Sequence, residues 1–330
     1  MSNRETGIRG SVLLYVVWAV VLLSVFAVSV GSQTLFALGV TERLSEQLRA
    51  AYIARGAAQY ALLALDLDDS KTVDSALDAW ADNPGLFQHH ALGGGTFDIV
   101  VPGKTDQQTR YGLTDEDRRI NLNTAPAGVL QRLFERAGMR EDEALSAAAS
   151  IEDWRDEDHI EHSHGAEGMY YRSLSDAYDC KNGPFENVEE LLLIRSMRPE
   201  IYRKVEPSLT VYGSGRLNLN TASPAALDAL GLSDIGVKGM LAFRAGEDGL
   251  EGTSDDRRLV STAALDAELR SFVPVEDLAR LAPLEKEDFL GVGSDDFRMD
   301  IQAETPHRAS QVQLSCVIDR KGRVRHWSER

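Results

Sequence analysis

The chain has 330 residues, two cysteines and a formal net charge of −17, long enough for two cores at the usual figure of about 150 residues per domain. The 52 carboxylates outnumber the 35 Lys and Arg side chains, and no basic cluster lies outside the last dozen residues. A nucleic-acid binder needs a basic face to neutralise phosphates, so that class is disfavoured. Cys180 and Cys316 show no metal-ligand spacing; a mutual disulfide and two buried free thiols are both open readings.

The first predicted element is set by an uncharged run from Gly10 to Thr41. A helix rising about 1.5 Å per residue crosses roughly 30 Å of hydrocarbon with about 20 apolar residues, and Val12 to Val30 supplies that length. The apolar region of a secretory signal spans only about 7–15 residues. Here apolar character persists through Leu35, Phe36 and Leu38 and then passes without Pro into a helical pattern, so the run reads as a retained membrane helix. Arg4 and Arg9 precede it and acidic residues dominate beyond it, which puts the N-terminus in the cytoplasm and the bulk outside.

Between Glu42 and Leu67 the residues Leu44, Leu48, Ala51, Tyr52, Leu62 and Leu63 recur at three- and four-residue steps. Glu42, Arg43, Glu46, Gln47, Arg49, Arg55 and Gln59 fill the other face. This spacing predicts an amphipathic continuation of the same helix, with the apolar stripe packed on a soluble domain. Strands follow: TFDIVV (96–101) after the Gly93–Gly95 turn, then QTRYGLT (108–114) after Pro102-Gly103.

The next stretch is duplicated. RINLNTAPAGVLQRL (119–133) and RLNLNTASPAALDAL (216–230) agree at eight of fifteen positions, and FENVEEL (185–191) pairs with FVPVEDL (272–278). Two landmarks in the same order argue for an internal repeat. NLNTA reads as a helix start, its Asn and Thr side chains accepting from free amides, with Pro126 or Pro224 in the first turn. Asn187 with Glu190 matches a capping box. Each copy is then a small module of about two main helices with an acidic loop between, and Leu130, Leu133, Leu227 and Leu230 face its core. The same motif resembles helix-hairpin-helix modules, and copy two continues with Gly236, Lys238 and Gly239 near a hairpin.

Loop 151–171 of copy one carries seven carboxylates, among them Asp153, Asp156, Asp158 and Glu167. Copy two places Glu247, Asp248, Glu251, Asp255 and Asp256 at the corresponding point. Alternating acids on a Gly-containing loop can converge on a hard cation, and Ca²⁺ takes about 6–8 oxygens. A solvated acidic surface is the alternative. His159, His162 and His164 read as surface histidines rather than zinc ligands. No Ser/His/Asp order, phosphate-binding Gly loop or HExxH is present, so no enzyme is predicted. FRMDIQAE (297–304), QVQLSCVI (311–318) and VRHWSE (324–329) close the chain with alternating strands and a turn over Asp319–Gly322.

The predicted fold is therefore α+β: a long N-terminal helix packed on an antiparallel β-sheet, with an inserted all-α domain of two helix-hairpin-helix-like (SAM-like) repeats. The expected boundaries are 1–10 for a leader, 11–41 for the membrane half of the helix, 42–118 with 291–330 for the α/β part, and 119–290 for the insertion. The insertion divides into repeats 119–207 and 216–290.

The N-terminus resembles the type IV pilin and pseudopilin class, in which a short basic leader ending in Gly is cut by prepilin peptidase. The matching residues are Arg4, Arg9 and Gly10, with Ser11 as first mature residue. Tyr15 stands where most members of that class carry Glu. A buried carboxylate is costly unless paired, and in pilins it pairs with the terminal amine of the subunit ahead, so its loss suits a filament tip. Taken whole, through RGSVLLYVVW, INLNTA, IEDWRDED with GAEGMYY, KNGPFENVEELLLI and VEPSLTVYGSGRLNLNTAS, the chain resembles the minor pseudopilin K family of type II secretion systems. That resemblance implies a non-enzymatic, inner-membrane, single-pass subunit at the tip of a periplasmic pseudopilus. It also implies cleavage and N-terminal methylation by prepilin peptidase, contact with membrane lipid, partnership with minor pseudopilins I and J, and calcium on the insertion. Asp153, Asp156, Asp158 and Glu167 are carried over as ligands by position, whereas Asp248, Asp255 and Asp256 rest on the repeat. The rival reading is a membrane-anchored DNA-uptake protein using the hairpin modules.

Overall fold

A computed structural model describes residues 9–68, 70–102, 109–306 and 310–330. Arg4 lies outside them, and the Gly10–Ser11 bond falls in the first turn of the first helix. That helix, α1 (Arg9–Asp66), runs unbroken for 58 residues. Its upper half presents Val12 to Val40 with every large apolar side chain exposed, and it is long and apolar enough to cross a membrane.

The lower half packs on a sheet, but not with the predicted stripe. Leu44, Leu48, Tyr52 and Leu63 are exposed, while Ala50, Ala54, Ala57, Ala61 and Ala64 are buried together with Ile53 and Leu65. The sheet supplies the bulk through Phe97, Ile99, Phe297, Met299, Ile301, Leu314 and Ile318, so the helix contributes small side chains and the two backbones approach closely. Of the predicted face only Ala51 is buried and Leu62 partly so.

The strands in chain order are β1 (His90–Leu92), β2 (Gly95–Val101), β3 (Arg110–Tyr111), β4 (Thr114–Asp115), β5 (Ile120–Asn121), β6 (Leu209–Thr210), β7 (Leu217–Asn218), β8 (Leu290–Gly291), β9 (Asp296–Glu304), β10 (Gln311–Asp319) and β11 (Val324–Glu329). Among the described residues seven form one antiparallel sheet in the order β1-β2-β9-β10-β11, with β3 on β2 and β4 on β9. Strands distant in sequence thus pair centrally: Ile99 lies opposite Ile301, and Cys316 opposite Met299. The predicted strand at 108–114 splits in two at Gly112, where a Cβ would lie 2.4 Å from the Ala81 carbonyl oxygen. Its first residue and the Pro102-Gly103 turn after Pro102 lie outside the described residues.

Beyond α1 the helices are α2 (Pro84–Phe87), α3 (Ala127–Arg136), α4 (Glu141–Arg155), α5 (Gly168–Arg172), α6 (Pro199–Val205), α7 (Pro224–Ala229), α8 (Asp234–Arg244), α9 (Leu265–Leu269) and α10 (Val275–Lys286), with short 3₁₀ turns at Val188–Leu193, Glu206–Ser208 and Thr262–Ala264. One hydrophobic cluster joins α1 to the sheet; a second is built wholly between Ile120 and Leu290. Leu130, Leu133, Leu227 and Leu230 sit in the second, as predicted.

The duplication is visible as matching polar clasps. In each copy the first Asn of NLN accepts from the amide two residues on, Asn121 from Asn123 at 2.9 Å and Asn218 from Asn220 at 3.0 Å. The second Asn then grips a distant backbone: Asn123 both accepts from and donates to Phe185, and Asn220 does the same with Leu259. An arginine closing a helix donates to the following turn, Arg155 to the Leu122 and Ala125 carbonyls and Arg244 to that of Ala222. The motif therefore staples segments rather than capping α3, which starts at Ala127 with Pro126 at the N-cap, outside the first turn, and no side-chain cap. Copy two does gain a cap, the Ser223 hydroxyl, with Pro224 in the first turn. The capping box at Asn187 and Glu190 is present. Each copy has more than two helices, and the acidic loop follows a helical hairpin (α3–α4 or α7–α8) that turns at Gly138 or Gly231, both at positive φ. The two cysteines are free: Cys316 is buried in the sheet core and Cys180 half-buried in the helical core.

Candidate metal centre

The acidic loop of copy one folds back on the helix that precedes it. Asp153 is on the last turn of α4 with its side chain fully buried. Asp156 ends that helix, turning into extended backbone at φ −78° and ψ 167°. The loop then returns so that Glu167, also buried, begins α5 by accepting from Gly168 N at 2.9 Å. This return brings together two overlapping groups of potential ligand atoms, Asp153–Asp156–His162 and Asp156–Asp158–Glu167, each within 4.8 Å.

The donors available inside the cluster are few. Asp153 Oδ1 accepts from the His162 amide at 2.9 Å and lies 2.6 Å from His162 Nδ1; Asp158 Oδ1 accepts from Ile160 N at 2.7 Å. Asp153 Oδ2, Asp156 Oδ1 and Glu167 Oε1 are buried without a partner. Three unpaired buried carboxylate oxygens from three side chains are the environment a hard cation satisfies. Desolvation, then the charges of Asp158 and Asp153, raise the Asp156 pKa, and the hydrogen bond to Asp153 raises that of His162. Gly165 is required by the same geometry, since a Cβ there would lie 2.0 Å from Asp153 Oδ2. Behind the cluster Trp154, Tyr171, Tyr178 and Phe185 form an aromatic wall.

All four carboxylates predicted in copy one are thus brought together. Sequence reasoning missed His162, which was read as a surface group; its side chain is half-exposed, yet it meets both Asp153 and Asp156. The clustering of three histidines was visible, but which one turns inward depends on the loop's path. His159 meets Asn182 instead, and His164 meets Ser163.

In copy two the predicted carboxylates are not gathered. Asp255 Oδ2 accepts from the Glu247 and Asp248 amides at 2.6 and 3.0 Å, and Asp256 Oδ2 accepts from Gly252 N at 2.6 Å. Asp248 Oδ1 accepts from Leu250 N at 2.8 Å. The Thr253 hydroxyl and these amides hold Asp255 at a pKa of about 2. Glu251 pairs with Arg244. The acids of this loop shape a turn through backbone amides.

The hairpin that resembles a phosphate grip is already occupied. Asp277 Oδ2 accepts from Ser233 N at 3.1 Å and from Ser233 Oγ at 2.5 Å, beside the first turn of α8. Gly236 and Gly239 lie within α8 and allow it to approach α10 and the Phe272 carbonyl. A protein carboxylate therefore sits where such a module would hold a DNA phosphate.

A long apolar helix laid on an antiparallel sheet, with a helical unit carrying an acidic cluster, defines a pilin-like protein with a large side domain. Residues 109–214, which include the whole cluster, match the family model "Type II secretion system (T2SS), protein K". Over that stretch the chain is thus similar to type II secretion system protein K. Among curated proteins it is 29% identical over 169 residues to that protein from Pseudomonas aeruginosa, covering 47% of this chain and 50% of the relative. It is 28% identical over 132 residues to the one from Aeromonas hydrophila, covering 38% and 39%. With the Pectobacterium carotovorum protein it shares 24% over 235 residues, covering 69% and 70%. The matches thus span half or less of the first two relatives. A solved structure, the GspK-GspI-GspJ complex of the enterotoxigenic Escherichia coli type 2 secretion system, contains a chain of the same fold, with TM-score 0.64, 19% identity, and 88% of this chain and 96% of that one covered.

Proposed function

We propose that this chain is a minor pseudopilin of a type II secretion system, acting in assembly initiation at the pseudopilus tip and so in protein export across the outer membrane. The observation that carries this reading is the fusion, in one chain, of an exposed apolar helix to a protein K domain. The upper half of α1 anchors the chain in the inner membrane, with its N-terminus cytoplasmic and its bulk periplasmic. Prepilin peptidase cuts between Gly10 and Ser11. The partners are minor pseudopilins I and J, a reading supported by the shared fold with the K chain of the solved three-protein complex.

The tip position rests on two features. The helical unit from 120 to 290 is bulky enough to obstruct a further subunit stacking ahead along α1, and Tyr15 offers no carboxylate to the amine of such a subunit. One calcium ion at Asp153, Asp156, Asp158 and Glu167 would fix the return of the loop onto α4 and supply the charge its unpaired oxygens need. The test is co-purification of the full chain from detergent-solubilised inner membranes with tagged I and J, with and without chelator. Recovery of a three-protein complex supports the assignment; recovery of neither partner, or cross-links along the entire pseudopilus, refutes it.

A further inference from the structure

Where the sheet meets copy two, a cavity of about 60 Å³ is lined by residues from both, including Trp80, Arg110, Arg118, Thr221, Arg244 and Glu251. On this scale one water needs roughly 10–15 Å³, so the space suits a small ion or a few waters and nothing larger. Its unmet polar groups are of one kind. Trp80 Nε1 and Arg244 Nε are buried N–H donors without partners. The Arg244 side chain is only 8% exposed, and its other nitrogens are taken by the Ala222 carbonyl and by Glu251. The side chains of Arg118, half-buried, and Arg110, on the exposed rim, form no hydrogen bond or ion pair among the described residues. The two lining carboxylates are already engaged: Glu251 pairs with Arg244, Asp115 Oδ1 takes the Asp117 amide, and its Oδ2 takes Asn218 and Thr221.

We propose that this cavity is an anion site taking a small tetrahedral oxyanion of the phosphate class, held by Arg118 and Arg110 with Trp80 Nε1 and Arg244 Nε. Three guanidiniums outnumber the two lining carboxylates, Asp115 and Glu251, and the fork of N–H groups on each guanidinium matches a phosphate oxygen edge. A single water can accept from only two of these donors, whereas a tetrahedral oxyanion presents several acceptor oxygens to them at once. Burial lowers the Arg118 pKa; the Asp115 charge opposes it, and the smaller effects of Arg110, Arg119 and Arg244 add to it. A bound oxyanion would bridge the sheet and the second helical repeat.

The experiment is thermal unfolding of the full chain in detergent, with inorganic phosphate titrated against chloride at constant ionic strength, for the parent, Arg118→Gln, Arg110→Gln and the remote control Arg203→Gln. The parent and control gain stability saturably with phosphate. R118Q weakens the phosphate affinity about tenfold or more, as loss of a charge-assisted hydrogen bond demands. Absence of saturable stabilisation, or equal phosphate affinity in R118Q and the parent, overturns the proposal. If R118Q does not fold, R110Q decides, and an unchanged phosphate affinity there overturns it too.

Discussion

Replacing Asp153 by Asn separates what the acidic cluster costs from what a cation adds. Asp153 is fully buried; its Oδ1 serves His162, and its Oδ2 has no partner, like Asp156 Oδ1 and Glu167 Oε1. Each unmade buried hydrogen bond costs about 1–3 kcal/mol. Asn is isosteric, so it fits against Gly165, where nothing larger does. Its amide would place donors toward the two orphan oxygens while one negative charge leaves the cluster. In chelator the D153N chain is therefore expected to unfold at or above the parental temperature. Calcium should stabilise the parent by RT ln(1 + [L]/Kd), about 2.7 kcal/mol at a hundredfold excess over Kd. For a chain of 330 residues, with an unfolding entropy of roughly 2.1 cal/mol/K per residue, that corresponds to roughly 4 °C in Tm. The variant should lose nearly all of this shift. Melts of the full chain in detergent, followed by the fluorescence of tryptophans including Trp154 beside the cluster, measure both effects. A variant that keeps the whole calcium shift refutes the ligand assignment, and a parent without any shift refutes the site.

Three further outcomes are expected. Ala57→Leu should destabilise the α1–sheet core by about 1–3 kcal/mol through overpacking, whereas Leu48→Ala on the exposed face should stay within about 0.5 kcal/mol; denaturant unfolding distinguishes them, and a reversed order would mean the helix packs by its leucine face. Asn220→Ala should cost about 3 kcal/mol, since it strands the Leu259 amide and carbonyl in a buried setting, and the partly exposed Asn123→Ala should cost less. Burial pushes Asp74 up to about 7, and burial with the Asp115 charge pushes Asp117 up to about 8. The folded chain then holds protons that the unfolded chain has released above about pH 4, so stability should fall as pH rises toward about 8, by at most about 1.4 kcal/mol per pH unit per proton. Asp117→Asn should flatten that slope, and a parental stability that rises between about pH 5 and pH 8 would contradict it.

The elements that depend on local pattern were legible in the sequence: the apolar span, the long alternating strands, the capping box at Asn187 and the core leucines of each repeat. What escaped depends on partners far along the chain. The buried face of α1 was misassigned because hydrophobicity favours Leu44, Leu48 and Leu63, while against a sheet already rich in Phe and Ile the helix buries mainly alanine, with Ile53 and Leu65 the exceptions. The Asn residues of NLNTA looked like helix caps, because nothing in the sequence indicates that Phe185 and Leu259 return to meet them. The acidity of loop one was legible as seven carboxylates in 21 residues, but the four that meet were singled out by the family resemblance. His162 was missed because its approach to Asp153 is decided by a turn that only Gly165 permits.

The divergence of the two copies argues that the acidic clusters serve different ends. Both loops follow the second helix of a hairpin and both are rich in Asp and Glu, so composition alone predicts the same chemistry twice. In copy two every acid of the predicted trio accepts from loop amides or Thr253, and Arg244 takes Glu251; the loop neutralises and satisfies itself. In copy one the arginine at the matching helix end, Arg155, turns toward the NLNTA carbonyls and lies 3.9 Å from Glu152. Among the described residues only His162 then pairs with Asp153 and Asp156, while Arg155 feels the Asp156 charge without pairing to it. A self-satisfied loop gains little from a cation, whereas a cluster with three orphan oxygens gains one favourable contact for each oxygen filled. Calcium dependence should therefore track copy one alone: Asp255→Asn should leave the calcium shift of the full chain unchanged, and an equal loss in Asp153→Asn and Asp255→Asn would show that the two loops act as one site.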